Sequence, residues 1–515
     1  MRVEKVDLEK TGIFSKIFLD YIAGEAKLAD MYSFEPSLKG FEKALSRRKF
    51  SADNRNTLVN VLNEQYKGLS ITDDVVQNIN LLKDQNTYTV TTGHQLNIFT
   101  GPLFFIYKIV TTINICRELA EKFPKYNFVP VYWMASEDHD FAEINHTYVD
   151  GEKFIWDTEQ SGAVGRFTTS ELADLADSIP GKIDIFKKAY MESATLADAC
   201  RHYINALFGE TGLVVVDADH PDLKAEFKSV VKEELVNQSA FNKVNDKSEA
   251  LMANGYKPQI NPREINLFYL DDGLRSRIEK DAGTYKVLDT DLSFTQDEIL
   301  ALLEEHPEKF SPNVILRPVY QEVILPNLGY VGGPAELAYW LQFKEMFANF
   351  KVDFPVLMPR NFGLYLDSKA QRKEEKMGLS HADLFGDIDA LKKKYVLSMN
   401  GNLKLEKERK LINKMYSSIN ELAQKIDVTL KDHIQAQLTH HQHSLDKIEA
   451  KLVKADKQNR EDEMRMINEL KEYAFPGGTL QERKVNYLSI NNDKLIVELL
   501  ALTDPFDLKM NIYLA

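Results

Sequence analysis

Apolar residues in the last quarter of the chain follow a spacing that few structures can satisfy. Ile412, Met415, Ile419, Leu422 and Ile426 recur at steps of three and four, with charged and amide side chains between them. After a break at 429–432 the spacing resumes with Ile434, Leu438, His441, Leu445, Ile448, Leu452 and Ala455. A seam kept over two segments is typical of a coiled coil. We therefore predict an antiparallel coiled-coil arm over 386–475; two ordinary surface helices packed on a core are the alternative.

Strand and helix patterns before the arm predict an α/β core. The alternating segment Tyr88–Thr92 is a strand candidate, and Leu103 begins a helical pattern of about 20 residues. The apolar run Phe128–Met134 is typical of a strand covered on both faces, as are Leu213–Val216 and Phe354–Met358. We predict a Rossmann-like, doubly wound core over 1–385, with ligands at the carboxyl ends of its strands. Segments near 150–210 and 220–310 are expected as insertions, and 476–515 is expected to return to the core.

Charge and cysteine usage exclude several classes of protein. The 64 basic and 78 acidic residues give a net charge of −14, which lacks the positive field that binds nucleic acid or anionic membranes. No apolar run reaches the roughly 18 residues that span a bilayer, and the charged N-terminus does not resemble a secretory signal. Two cysteines, Cys116 and Cys200, fit a reducing compartment. We expect a cytoplasmic protein with no nucleic-acid or membrane partner.

The first polar motif follows the strand Tyr88–Thr92 and opens onto the long helix. Free backbone N–H groups and the positive end of the helix dipole favour a carboxylate or phosphate at such a turn. The candidate substrate-binding residues are Gly93, His94, Gln95, Asn97, Gly101 and Lys108. A purely structural βα turn is the alternative, because many such turns carry glycine.

The second motif directly follows Phe128–Met134, at the strand end where such a sheet binds ligands. Carboxylates there could hold a substrate ammonium group, and His139 could accept a proton from an attacking amine, with Asp138 or Asp140 orienting it. Asn145 and His146 are further candidate binding residues. A metal site is the second interpretation, although the spacing matches no named metal motif. A solvated acidic loop is the third.

The third motif runs from residue 317 to residue 340. Arg317 could bind a carboxylate through two parallel hydrogen bonds, and Gly332 and Gly333 precede a helix start with free N–H groups. Glu336 and Tyr339 complete the candidate site, although Glu336 could simply complement the helix dipole. The glycine-rich sequences typical of P-loop and dinucleotide-binding proteins do not occur in the chain.

Together these motifs resemble those of the bacillithiol synthase family, described as cysteine ligases of low-molecular-weight thiol biosynthesis. Their order and spacing agree over essentially the whole chain. His94 departs from the family, in which glutamine is more usual, and its role stays open because histidine can titrate. The resemblance is carried by Thr92-Gly93-His94-Gln95, Phe99–Leu103, Pro130–Trp133, Glu137–Phe141, Asn145-His146, Arg317-Pro318, Gly332–Pro334 and Ala338–Trp340.

The resemblance implies a fold similar to class I aminoacyl-tRNA synthetases and a homodimer formed through the helical arm. It also implies amide formation between the carboxyl group of L-cysteine and the glucosamine amine of glucosaminyl-malate. Activation of the carboxyl stays open: ATP or another nucleotide fits the fold, no metal is required, and an ADP-like molecule near Pro476–Arg483 is one hypothesis. The rivals are a non-catalytic coiled-coil scaffold and a metal-dependent hydrolase or deacetylase of an amino sugar, built on Asp138, His139 and His146.

Overall fold

The computed structural model describes residues 1–181 and 183–515; Lys182, inside the predicted insertion at 150–210, lies outside the described residues. Most of the strands precede the arm in the sequence, and the last one follows it. In chain order they are β1 Arg2–Val6, β2 Thr87–His94, β3 Asn127–Met134, β4 His146–Val149, β5 Glu152–Ile155, β6 Val214–Asp217, β7 Leu267–Asp271, β8 Leu274–Asp281, β9 Thr284–Val287, β10 Ser293–Phe294, β11 Phe310–Pro312, β12 Asn327–Gly332, β13 Val356–Pro359, β14 Phe362–Leu366 and β15 Met510–Leu514.

Helices surround the sheets and form the arm. No helix in the described ranges is both long and apolar enough to cross a membrane. In chain order the α-helices are α1 Leu8–Thr11, α2 Lys16–Ala23, α3 Leu38–Arg47, α4 Ala52–Gln65, α5 Asp73–Leu81, α6 Leu103–Lys122, α7 Phe141–Ile144, α8 Ser170–Ser178, α9 Asp184–Glu192, α10 Leu196–Phe208, α11 Pro221–Asn237, α12 Ser239–Ala253, α13 Gln296–Glu305, α14 Arg317–Ile324, α15 Pro334–Trp340, α16 Lys344–Asn349, α17 Ser368–Met377, α18 Ile388–Met399, α19 Glu406–Ile426, α20 Leu430–Asn459, α21 Glu461–Ala474 and α22 Leu495–Leu502.

The core is a parallel sheet with the strand order β13-β12-β2-β3-β6. Its strands are buried over nearly their whole length, which explains their continuous apolar and β-branched composition. β2 is central, with Gly93 opposite Trp133 of β3 and Thr92 opposite Val331 of β12. The carboxyl ends of β2, β3 and β12 therefore meet at one edge of the sheet. The predicted Rossmann-like α/β core is confirmed.

The helix α6 connects β2 to β3 and forms the predicted βαβ unit. It is buried around most of its circumference, because the sheet covers one side and α22 packs against another. Cys116 lies on this helix, and Cys200 lies on α10; both are buried and free. Burial raises the pKa of both thiols, so neither has the character of a reactive nucleophile.

An antiparallel sheet with the order β10-β9-β8-β7-β11 lies between residues 267 and 312, so that all but the end of β11 falls in the segment 220–310. Tyr285 of this sheet donates a hydrogen bond to the carbonyl oxygen of Leu235 on α11, at 2.8 Å. Arg275 on β8 donates from Nε to Oγ of Ser311 at 3.0 Å and so links β8 to β11. This sheet is thus tied to the helix α11 and carries Arg275 on a strand that is hydrogen-bonded to its neighbours.

A further sheet brings together the two ends of the described chain. The last strand, β15, pairs antiparallel with β1 and parallel with β14, so that Met510 lies between Val6 and Phe362. All of β15 is buried. The core is therefore completed by residues that lie beyond the arm in the sequence.

The arm is a helical hairpin of α19 and α20, which confirms the helical arm of the predicted fold class. The hydroxyl oxygen of Tyr416 lies 2.8 Å from Nδ1 of His441, and Arg409 donates to Glu449 at 3.0 Å. Polar contacts therefore connect the antiparallel helices α19 and α20. Many of the heptad side chains point into solvent rather than into the hairpin. The exposed ones include Met415 (48%), Ile419, Leu422, Ile426 (74%) and Ile448.

Candidate active site

A cavity of about 690 Å³ opens at the edge where β2, β3 and β12 end. Its position follows the rule that open α/β sheets bind ligands outside the carboxyl ends of their strands, and its volume suits a small-molecule ligand. All three polar motifs reach its wall. The predicted residues that line it are Gly93, His94, Gln95, Lys108, Asp138, His139, Arg317, Gly333, Glu336 and Tyr339.

The other predicted residues lie outside the wall of this cavity, and their contact with a substrate stays a prediction. Asn97 supports a wall residue, because its Nδ2 donates to Nε2 of His94 at 3.1 Å. Asn145 and His146 contact each other at 3.1 Å, through Oδ1 and Nδ1. The full set outside the wall is Asn97, Gly101, Asp140, Asn145, His146 and Gly332.

The turn between β2 and α6 has an unusual backbone conformation. Phe99, Thr100 and Gly101 all have positive φ, at 52°, 70° and 65°. A Cβ atom on Gly101 would lie 2.7 Å from Cβ of Asn97, so the position requires glycine. Asn486 donates from Nδ2 to the carbonyl oxygens of Phe99 and Gly101, at 2.7 and 2.8 Å. Gly101 is therefore accounted for by the shape of the turn, which a residue beyond the arm stabilises.

An ion pair between the buried Lys108 and the partly exposed Glu336 joins the first and third motifs. Lys108 Nζ lies 2.6 Å from Oε2 of Glu336 and donates to the carbonyl oxygen of Gly93 at 2.9 Å. Glu336 also accepts from the Gly333 N–H at 2.6 Å. Burial acts to raise the pKa of Glu336, but Lys108 and Gly333 outweigh it and hold that pKa below its ordinary value. The Gly333 N–H is thus satisfied by the protein itself, whereas the sequence suggested a free donor.

His94 packs against Phe104 and Phe105, with ring centroids 5.1 and 5.4 Å away. Desolvation and the positive charge of Lys108 lower the pKa of His94 to about 3. The imidazole is therefore neutral at physiological pH, and Asn97 donates to its Nε2. In this state His94 offers hydrogen bonds without charge.

His139 lies at the mouth of the cavity with 45% of its side chain exposed. Arg275 lies 2.7 Å from its Nδ1 through Nη1, and because a guanidinium can only donate, Nδ1 is the acceptor. Desolvation and Arg275 lower the pKa of His139, which is therefore neutral. Asp138 accepts from the His139 backbone N–H at 2.8 Å and from Nε2 of Gln95 at 2.7 Å. The predicted role of His139 as a base requires Arg275 to release Nδ1.

Several cationic side chains on the cavity wall lie outside the three motifs. Arg275 and Arg277 are two residues apart on β8, which places them on one face of the strand. The spacing of these two arginines could have indicated a cationic surface from the sequence, but it lies in a segment that is predicted only as an insertion. Glu482 holds Arg360 through two hydrogen bonds, at 2.5 and 3.0 Å. The complete cationic set on the wall is Lys108, Arg263, Arg275, Arg277, Arg317, Arg360 and Arg483.

The metal interpretation requires ligands that converge. Within residues 1–181 and 183–515, no group of three or more His, Cys, Asp or Glu side chains is arranged to hold a metal ion. His146 lies outside the cavity that Asp138 and His139 line. Glu137 also lines the cavity, but the buried Lys224 forms an ion pair with it. Carboxylates of the second motif are therefore paired with cationic side chains of the protein itself.

Comparisons with known proteins agree with this architecture. A family model described as the N-terminal Rossmann-like domain of bacillithiol biosynthesis BshC matches residues 1–361, and one described as its C-terminal coiled-coil domain matches residues 363–514. A relative from Flavobacterium johnsoniae is 40% identical over 99% of both chains, and one from Cytophaga hutchinsonii is 41% identical over 99% of both. A third, from Flavobacterium psychrophilum, is 40% identical over 95% of this chain and 94% of its own. Each is named as a candidate cysteine ligase BshC.

A Rossmann-like sheet with a polar cavity at its carboxyl edge, joined to a coiled-coil arm, defines a class of small-molecule enzyme. The chain belongs to the BshC family of bacillithiol biosynthesis, and within that class it is a ligase. The family resemblance inferred from the motifs is therefore confirmed.

Proposed function

We propose that the enzyme joins the carboxyl group of L-cysteine to the glucosamine amine of glucosaminyl-malate. The charge of the cavity carries this proposal. Lys108 and several arginines line it, although the chain as a whole has a net charge of −14. A cationic cavity in an acidic protein favours ligands that carry carboxylates, and both proposed substrates do. The names of the relatives support the same reaction class.

Arg317 is the proposed partner of a malate carboxylate. Its guanidinium carbon lies 5.8 Å from the ring centroid of Trp133 and 5.5 Å from that of Tyr330. Such packing against aromatic rings holds the planar fork in one orientation. A fork held in this way can donate two parallel hydrogen bonds to a carboxylate.

The reaction requires a neutral amine to attack the cysteine carbonyl carbon. A C–N bond forms and a C–O bond of the cysteine carboxyl breaks; the oxygen leaves with the electron pair of that bond, on the phosphoryl group of the nucleotide if ATP activates the carboxyl and as water if nothing does, and the amine loses a proton. We assign Asp138 and Asp140 to holding the substrate ammonium, and His139 to accepting the proton once Arg275 leaves Nδ1. Because the pKa of His139 is lowered, its imidazole is unprotonated near pH 7, the form that a base requires.

Product analysis tests the proposal directly. Purified protein is incubated with L-cysteine and glucosaminyl-malate, with and without ATP, and the thiol amide is sought by mass spectrometry. We expect the amide with wild type and a loss on the order of a hundredfold or more with Arg317→Met, because a buried charge-assisted pairing is removed. Arg372→Met is the control, since Arg372 is exposed and lies outside the cavity. If wild-type protein forms no amide either with ATP or without it, the proposal is overturned.

The arm is proposed to form a homodimer. On a single chain its heptad side chains, such as Leu422 and Ile426, are exposed, and a contiguous apolar stripe of this kind marks an interaction surface. Deletion of residues 395–472, bridged by a short linker, should convert a dimer into a monomer, measured as mass in solution. A wild-type protein that is itself a monomer at micromolar concentration would contradict the assignment.

A cytoplasmic location belongs to the same proposal, as do substrates limited to small molecules, with no nucleic-acid or membrane partner. The net charge of −14 opposes binding to polyanions. The free, buried Cys116 and Cys200 fit a reducing compartment.

A further inference from the structure

A line of buried polar side chains runs from Arg317 into the core, away from the cavity. Arg317 donates from Nη1 to Oε1 of Gln321, one helical turn later on α14, at 3.1 Å. Gln321 donates from Nε2 to Oε1 of Glu322 at 2.9 Å. Asn327 donates from Nδ2 to the same carboxylate oxygen at 2.6 Å. Gln321, Glu322 and Asn327 are all buried, so these contacts are shielded from water and hold their geometry.

The network determines which way the Gln321 amide points. The hydroxyl groups of Thr89 and Thr91 on β2 donate to Oδ1 of Asn327, at 3.1 and 2.9 Å, so the NH₂ group of Asn327 faces Glu322. Oε1 of Glu322 already accepts from Asn327 and acts as an acceptor on this side, so Gln321 must also turn its NH₂ group toward Glu322. Its carbonyl oxygen is then left for Arg317. If the Gln321 amide were reversed, its carbonyl oxygen would face the acceptor oxygen of Glu322. Its NH₂ group would then face the N–H donor of Arg317, and both contacts would be unfavourable.

The carboxylate of Glu322 has its own anchor on the far side. Arg48 donates from Nη2 to the carbonyl oxygens of Glu322 and Leu325, at 2.7 and 2.9 Å, and the same nitrogen lies 3.7 Å from Oε2 of Glu322. Burial raises the pKa of Glu322 to about 7, and Arg48 acts in the opposite direction. The acceptor that orients Gln321 is therefore tied to Arg48, the residue directly after α3, as well as to the sheet.

Because the hydrogen-bond acceptor beside Arg317 is neutral, the arginine keeps its positive charge for the substrate. A carboxylate at the position of Gln321 would also orient the guanidinium, but it would neutralise the charge that a substrate carboxylate needs. The carbonyl oxygen of Gln321 uses one N–H of Arg317 and leaves its positive charge in place. The stacking on Trp133 and Tyr330 then fixes the plane of the fork.

We infer that Gln321 and Glu322 are positioning residues that hold Arg317 for a carboxylate of the acidic substrate. The inference rests on the proposed function, because that function places an acidic substrate in the cavity. Neither residue lines the cavity, so both act through Arg317 and not by contact with the substrate.

The test compares steady-state kinetics of wild type, Gln321→Met, Arg317→Met and the double variant, with glucosaminyl-malate varied and product followed by mass spectrometry. Gln321→Met should raise KM by on the order of tenfold, because a hydrogen bond to a charged group is lost, with kcat changed far less. In the Arg317→Met background the Gln321 substitution should have no further effect on kcat/KM. A folded Gln321→Met enzyme with wild-type KM, or equal effects in both backgrounds, overturns the inference.

Two further variants keep the test decisive if Gln321→Met does not fold. Glu322→Gln retains an acceptor oxygen toward Gln321 and should keep KM near the wild-type value, whereas Glu322→Met should raise it like Gln321→Met. A purely structural role predicts lower melting temperatures for both with unchanged KM, which overturns the inference. Glu374→Gln, at a buried carboxylate outside the cavity, is the control for stability effects. Wild-type enzyme that makes no amide refutes the proposed function instead.

Discussion

Replacing Lys108 with methionine should loosen the contact between the first and third motifs. The lysine bonds to Glu336 at 2.6 Å and to the Gly93 carbonyl at 2.9 Å, and its side chain is only 3% exposed. Removing one partner of a buried ion pair costs about 3–5 kcal/mol, because the other charge is left desolvated. Glu336 is 26% exposed and keeps the hydrogen bond from Gly333. We therefore expect the free energy of unfolding to fall by about 2–3 kcal/mol.

The loss should depend on pH in a defined direction. Burial acts to raise the pKa of Glu336, but Lys108 and Gly333 hold it below the ordinary value. A depressed carboxyl pKa contributes stability that is present above the unfolded pKa, roughly 4.3, and is lost as pH falls through the folded value. Without Lys108 that pKa should rise. The difference between wild type and variant should therefore be largest near neutral pH and shrink below about pH 5.

Urea unfolding followed by tryptophan fluorescence, at neutral and acidic pH, measures this difference. Lys286→Met is a matched control, because Lys286 forms an exposed ion pair with Asp281 and should leave the midpoint unchanged. The double variant Lys108→Met with Glu336→Gln should recover part of the loss, with a coupling of about 1–3 kcal/mol. An equal loss at both pH values, together with additive single effects, would refute the ion-pair reasoning and leave packing as the cause.

Three other substitutions have defined outcomes. His139→Ala should lower amide formation by about a hundredfold to ten-thousandfold with little change in melting temperature; near-normal turnover would remove His139 from the mechanism. Gly101→Ala should destabilise the fold by about 1–3 kcal/mol in thermal unfolding. Gly378→Ala, also at positive φ but with free space around its Cβ position, should cost less, and equal costs would contradict the predicted clash. Glu482→Gln should cost about 2–4 kcal/mol by the same measurement, because it weakens the buried pairing with Arg360; an unchanged melting temperature would argue against that pairing.

The central sheet was predictable because buried parallel strands carry a local signature. The run Phe128–Met134 corresponds to β3 within one residue, since both faces of that strand must be apolar. The strand before it is predicted over Tyr88–Thr92, with its end at Gly93. It continues to His94, and the reason is tertiary: Gly93 and His94 pair with Trp133 and Met134 of β3, and Arg317 lies beside Gly93. A local pattern cannot show which distant side chain approaches a glycine.

The candidate site was predictable only in part, for the same reason. Motifs at strand ends could be placed together by topology, and ten of the predicted residues do line one cavity. Arg263 reaches the same wall from the segment 220–310, and nothing in its neighbouring residues signals that contact. Arg483 reaches it from beyond the arm, where the sequence analysis offers only the hypothesis of a nucleotide near Pro476–Arg483. The heptad spacing likewise predicts an apolar helix face, but spacing alone does not say what covers it.

The three-stranded sheet of β1, β15 and β14 has a consequence for the order of folding during synthesis. β1 and β14 leave the ribosome before β15, and in that sheet each pairs only with β15. Until residues 510–514 are made, both strands have open edges, which are prone to wrong pairing. Pairing across nearly the whole chain length also carries the slow kinetics of high contact order. The nascent enzyme therefore completes its core late, and its exposure to aggregation should be greatest just before the last strand inserts.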